Sequence, residues 1–160
     1  MRPWMLAAAA ALTISSAAAQ TAAPRSDPDT LLRSVVADVS QENLHATITR
    51  LVGFGTRHTL SDTRSNRRGI GAARRWVESE FRAIGAACGG CLEIALPSET
   101  VTGNRVPTPT EVVDVLAIQR GTSDPNRVII ISGHLDSRVS DVMDTRSNAP
   151  APMTTPRAWP

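Results

Sequence analysis

The residues best suited to chemistry fall in one hexapeptide, Ser132-Gly133-His134-Leu135-Asp136-Ser137. A His-x-Asp spacing lets an imidazole bind a metal through one ring nitrogen while a nearby carboxylate accepts the proton on the other, which fixes tautomer and orientation. The bland alternative is a plain structural role for His134, because such triplets also arise by chance. Cys88 and Cys91 frame a Cys-Gly-Gly-Cys pair. In an exported chain this spacing predicts a local disulfide. A redox-active pair would sit at a helix N-terminus, and a zinc site would need two further ligands at matching spacing. Arg57-His58 either lines a substrate pocket or anchors local backbone by hydrogen bonds, the second being the reading preferred. His45 falls on a helix as a surface residue. The pairs Arg67-Arg68 and Arg74-Arg75 would suit an anionic partner, but Glu78 and Glu80 follow closely, and a solvated, salt-bridged face is expected instead.

The elements that must position these groups can be read from spacing. Asp27-Pro28 offers an N-cap with Pro at the first helical position, and Leu31, Leu32, Val35, Val36 and Val39 follow at helical intervals. Ser40 caps a second helix carrying Leu44, Ile48, Leu51 and Val52, which Gly53 and Gly55 end. Thr56 to Asn66 reads as a polar loop. From Arg68 to Ile84 the apolar positions Ile70, Ala73, Trp76 or Val77, Phe81 and Ile84 predict the strongest helix, with Gly85 placed to close it. Leu92–Leu96 and Val112–Ile118 predict strands, with the Pro/Thr/Gly-rich stretch Pro97–Thr110 between them as a connection. Gly121–Asn126 reads as a turn. Arg127–Ser132 is a nearly continuous β-branched run of the kind buried on both faces of a sheet, and His134 then stands at its carboxyl end, where α/β sheets bind ligands.

Composition bounds the possibilities. The chain has 160 residues, 17 basic against 15 acidic, and every basic one is Arg. That balance gives no electrostatic footprint for nucleic acid. With two Phe, three Trp and no Tyr, the core is expected to be built from Ile, Val, Leu and Ala. Arg2, the apolar run Trp4–Ile14 and Ala17-Ala18-Ala19 predict a secretory signal peptide over 1–19. A connector over 20–27 follows, and no stretch approaches the roughly 20 apolar residues of a membrane span. The product is expected to be exported, periplasmic or extracellular.

The run VIIISGHLDSRVSDVMD, the upstream LVGFGTRHT, the helix GIGAARRWVESEF and the CGGC pair together resemble the exported bacterial di-zinc aminopeptidases, relatives of leucyl aminopeptidase and glutaminyl cyclase. The resemblance covers roughly Leu31 to Pro150. It implies the N-terminal part of an α/β/α sandwich with a mixed sheet, incomplete in this chain, over residues 28–150. It also implies a peptide substrate, two zinc ions, and release of N-terminal amino acids by a zinc-activated water. Carried over by position, His134 is the zinc ligand and Asp136 the carboxylate that supports it in the catalytic centre. Substrate-binding residues and oligomeric state are not assigned by it.

The pattern departs from this family after Asn148, where a Pro-Gly-Ala-Asn-Asp-Asp type segment should supply a bridging Asp. Here APAPMTTPRAWP follows. The run Pro152–Pro160 can be encoded by bases whose neighbouring frame reads Asn-Asp-Asp-Ser-Ala-Gly-Val-Ala. Residues 151–160 are therefore expected to be an out-of-frame tail and the chain a truncated, inactive peptidase. The alternative reading is a small, non-catalytic exported binding protein stapled by its disulfide.

Overall fold

The computed structural model describes residues 27–124 and 126–149. The expected signal peptide, nearly all of the expected connector and the expected out-of-frame tail over 151–160 lie outside the described residues. Two compact units divide at Val39/Ser40. In the first, α1 (Pro28–Ala37) begins as expected: Pro28 opens the helix, and the Asp27 carboxylate accepts from the Asp29 N–H and the Thr30 hydroxyl. These contacts satisfy donors that the first turn would otherwise leave orphaned.

The second unit opens with α2 (Gln41–Gly53), whose N-cap Ser40 hydroxyl accepts from Asn43 N–H at 3.1 Å. The helix α3 (Gly69–Ala87) follows. It runs through Gly85 rather than ending there, because Gly85 is buried against Leu92 and keeps helical geometry. The helix closes instead at Gly89 and Gly90. Gly90 N–H donates to Gly85 carbonyl at 2.7 Å and Gly89 N–H to Ala86 carbonyl at 3.1 Å, with Gly89 at φ 72°. This paired closure needs a left-handed residue just past the helix, which glycine adopts without a Cβ penalty.

Four short strands complete the described chain: β1 (Glu93–Ala95), β2 (Ser98–Gly103), β3 (Val106–Val113) and β4 (Leu116–Ile118). They form two antiparallel pairs, β1 with β4 and β2 with β3, the second interrupted by an irregularity between Val101 and Gly103. The α/β class is thus met by helices and small antiparallel sheets. Three strand assignments change. The first is Val112–Ile118, expected as one strand, which ends β3 at Val113 and resumes as β4 at Leu116. Pro97–Thr110, expected as a connection, holds β2 and most of β3. Pro107 and Pro109 are accommodated because β3 pairs on one side only, which leaves an edge where a missing N–H breaks no ladder bond. Arg127–Ser132 forms no strand. A strand of that composition needs neighbours and cover on both faces, yet the described strands pair only with one another. Val128 to Ile131 accordingly stand 76–95% exposed.

The core sits where α2 meets the start of α3. Phe54, Ala72 and Ala73 are its buried centre, and Leu51, Trp76 and Leu135 pack against it. Phe54 and Trp76 lie tilted with ring centroids 6.1 Å apart, and the Arg50 guanidinium covers Phe54 at 4.7 Å. The core therefore combines an aromatic pair with the Ala and Leu residues that were expected to make up most of it.

Candidate metal-binding site

The site is assembled by a segment that reads as an ordinary polar loop. Between α2 and α3, Thr56, Arg57, His58 and Ser61 are all buried. Buried polar groups must find partners; Thr56 and Ser61 find theirs within residues 56–70, while Arg57 and His58 also reach into the segment 135–149. Arg57 donates from Nη1 to the Leu51 carbonyl at 2.6 Å and from Nε to the Leu135 carbonyl at 2.9 Å. Its backbone N–H donates to Ser137 Oγ and its carbonyl accepts from Ser137 N–H, both at 3.2 Å. His58 Nδ1 accepts from Leu60 N–H at 3.0 Å, which puts the ring proton on Nε2, and that nitrogen donates to the Val142 carbonyl at 2.9 Å. Further along, Arg68 donates to Asn148 Oδ1 at 2.7 Å and to the Arg146 carbonyl, and Ala149 N–H reaches the Gly55 carbonyl at 3.4 Å. The Arg57-His58 pair anchors backbone, as preferred over a pocket role.

Held by these bonds, His134 and Asp136 come together. His134 Nδ1 lies 2.8 Å from Asp136 Oδ1. A carboxylate only accepts, so Nδ1 carries the proton and Nε2 keeps its lone pair. The imidazole is 93% exposed, leaving Nε2 accessible. The donor chemistry fits one zinc ligand oriented by a carboxylate, with Nε2 as the coordinating atom. Among the described residues no group of three or more His, Cys, Asp or Glu side chains gathers to hold a metal. His134 and Asp136 stand as a pair, with no third such side chain beside them among the described residues.

The other candidates fall elsewhere. Cys88 and Cys91 form the expected disulfide, with Cα atoms 5.6 Å apart. His45 is exposed on α2. The arginine pairs depart from a salt-bridged face. Glu78 pairs with Arg82 at 2.7 Å, whereas Arg75 donates to the carbonyls of Thr63 at 3.0 Å and of Ser65. A loop that folds back onto α3 leaves carbonyls within reach of α3, and a forked guanidinium satisfies several at once. Arg74 faces a cleft of about 610 Å³ between α3 and β3. Burial pushes its guanidinium pKa down, and the charges of Glu111 and Asp114 oppose that. Burial likewise lowers the pKa of Arg57, with Asp136 opposing. Sequence reasoning missed Ser137, Arg68 and Asn148, whose partners lie some eighty residues away and leave no local pattern.

The geometry presents an accessible imidazole oriented by a carboxylate. Comparison with known proteins adds the following likenesses. The chain is 48% identical over 124 residues to a protein of Pyrenophora teres f. teres named "Probable zinc metalloprotease", covering 77% of this chain and 26% of that protein. It is 42% identical over 124 residues to a protein of that name from Pyricularia oryzae, covering 77% of this chain and 25% of the relative. A probable zinc metalloprotease of Leptosphaeria maculans is 42% identical over 127 residues, covering 79% of this chain and 30% of the relative. These likenesses support a zinc metalloprotease family for the chain. The chain spans about a quarter of the length of the curated relatives it matches. The relatives are fungal and their names stop at the metalloprotease class, so they support that class rather than a bacterial di-zinc aminopeptidase. No family model matches, and no solved structure matches significantly.

Proposed function

We propose that these residues belong to an exported zinc-dependent aminopeptidase acting on peptides, with His134 as a ligand to one of two zinc ions and Asp136 as the carboxylate that orients it. The observation carrying this reading is the 2.8 Å His134–Asp136 contact that leaves Nε2 accessible, in a chain whose relatives are named zinc metalloproteases. Zinc, when bound, would supply the polarisation that lowers the pKa of a water toward neutrality. This chain's part is narrower: Asp136 holds the proton of His134 on Nδ1, and the Arg57 and Ser137 bonds hold the loop that carries both. The N-terminal amine specificity rests on the motif resemblance. The Cys88–Cys91 disulfide suits an oxidising, exported setting.

The test is a zinc titration of the chain followed by the His134 ring nitrogens in NMR, with His45 as internal reference. Zinc is expected to move His134 Nε2 and leave His45 in place, and His134→Ala is expected to abolish the effect. An unmoved His134 at millimolar-order zinc would sink the metal reading. The finer aminopeptidase reading is checked by sequencing the coding DNA across the codons for Ser147 to Pro160 and onward. A frame giving Asn-Asp-Asp, then a Glu pair, a late Asp and a His is expected, and its absence from every frame rejects the reading.

A further inference from the structure

We infer that Arg57 is a positioning residue for the His134–Asp136 pair, setting the direction in which His134 presents its free ring nitrogen. The inference rests on the reading of His134 as a metal ligand and adds to it the residue that builds the ligand's orientation.

The argument is geometric. Leu135 lies between the two functional residues, and its side chain packs on the Phe54–Ala72–Ala73 cluster. Its carbonyl is held by Arg57 Nε at 2.9 Å. Two residues further on, Ser137 is tied to Arg57 by both its hydroxyl and its backbone N–H. One residue therefore fixes the backbone on both sides of Asp136, and the core fixes Leu135. With Leu135 turned inward, its two neighbours turn to solvent on the same side, which is where His134 and Asp136 meet.

Arg57 is itself immobile. It is 4% exposed, and its Nη1 is anchored on the Leu51 carbonyl near the end of α2. The loop is thus referenced to a helix through a planar, forked group that reaches two carbonyls together. A lysine offers a single ammonium at the end of a flexible stem and cannot reproduce that fork. The charge of Asp136 acts on the Arg57 guanidinium, opposing the lowering of its pKa by burial. The residue that fixes the loop is therefore also coupled to the carboxylate on which the His134 tautomer depends.

The experiment compares the chain with Arg57→Gln and Arg57→Lys, reading the His134 tautomer from its ring nitrogens and zinc affinity from the same spectra. The near-UV circular dichroism of the Phe54–Trp76 pair serves as the control for fold. In the unaltered chain the Nδ1–H tautomer should dominate. In Arg57→Gln it should give way to a mixture and zinc affinity at His134 should fall about tenfold or more, the scale on which orienting partners act. Arg57→Lys should recover part of both while the His45 signals stay fixed. Unchanged His134 tautomer in Arg57→Gln with the near-UV signal intact overturns the inference. Loss of the near-UV signal in both variants also overturns it, assigning Arg57 to the core alone. If zinc fails to move His134 in the unaltered chain while the tautomer still depends on Arg57, the metal reading falls and the positioning role stands.

Discussion

Replacing Gly71 by Ala sets two effects of opposite sign against each other inside α3. In a helix interior Ala is favoured over Gly by about 1 kcal/mol, so propensity alone predicts a gain. The site contradicts it. A Cβ at position 71 would lie 2.2 Å from the Thr63 carbonyl oxygen and 2.5 Å from its carbon, about 1 Å inside ordinary contact. The obstacle is backbone, and it is pinned. Thr63 carbonyl accepts from Arg75 Nη1 at 3.0 Å, Asp62 carbonyl accepts from Gly71 N–H at 3.2 Å, and Ile70 N–H donates to Ser61 Oγ at 2.9 Å. Relieving the clash means moving α3 off the loop, which costs about 1–3 kcal/mol in overpacking and about 1 kcal/mol for each buried hydrogen bond stretched. The net expectation is a loss of about 1–3 kcal/mol. Gly85→Ala in the same helix is the control, since its Cβ would meet Leu92 at ordinary distances, the Leu92 Cβ at 3.4 Å and the carbonyl oxygen at 3.7 Å. It should be neutral or stabilising by up to about 1 kcal/mol. Urea unfolding followed by far-UV circular dichroism separates the two. With a slope of about 1–2 kcal/mol per molar, the Gly71→Ala midpoint should drop by about 1 M and that of Gly85→Ala should hold or rise. A Gly71→Ala chain as stable as the unaltered one would refute the close packing of loop on helix.

Two other outcomes follow from local geometry. The Cys88–Cys91 disulfide spans a sequence separation of 3, so loop-closure entropy limits its contribution to about 2 kcal/mol; urea unfolding with and without reductant should show no larger difference. The Asp144 carboxyl is drawn from 3.8 to about 2, first by the Ser147 hydroxyl and then by the backbone N–H groups of Ser147 and Arg146. Its folded value lies below its unfolded one, so the stabilisation it provides is complete above pH 3.8 and disappears as pH falls through about 2. A carboxyl-carbon NMR titration checks this, and a midpoint at the ordinary aspartate value would reject it.

The parts of this fold that were legible in the sequence are those whose causes are local. Asp27-Pro28 and Ser40 start helices because a cap needs only the next three residues, and both do so in the structure. The stripe of α3 was equally plain, though its closing glycine is Gly89 rather than Gly85. A glycine in helical geometry, packed on Leu92, cannot be told by type from one that must turn left-handed. The prolines of β3 hid a strand because edge position is a property of the pairing. Arg127–Ser132 misled in the opposite direction: its β-branched run states what the segment can become when flanked, and the described residues provide no flank.

The same division runs through the candidate site and explains why its visible half is the less constrained half. His134 and Asp136 are two residues apart, so their contact could be anticipated from spacing. The groups that make the contact persist are Arg57, His58, Arg68 and Ser137, spread over two segments some eighty residues apart. In the sequence Arg57 and His58 read as polar loop residues, Arg68 as the start of a helix and Ser137 as the last residue of the hexapeptide, with nothing to join them. Arg57 and His58 are buried and cannot remain unpaired without a cost of about 1–3 kcal/mol each, so they must find carbonyls and hydroxyls, which Leu135, Ser137 and Val142 present. An exposed imidazole on an otherwise free loop would sample many rotamers and both tautomers. Arg57 ties the Leu135 backbone to the end of α2 and the core holds the Leu135 side chain, so the loop that carries the imidazole is not free. On the proposed reading of His134 as a zinc ligand, substitutions at Arg57 or His58 should lower zinc affinity at His134 without touching the metal, which the zinc titration of the His134 ring nitrogens checks.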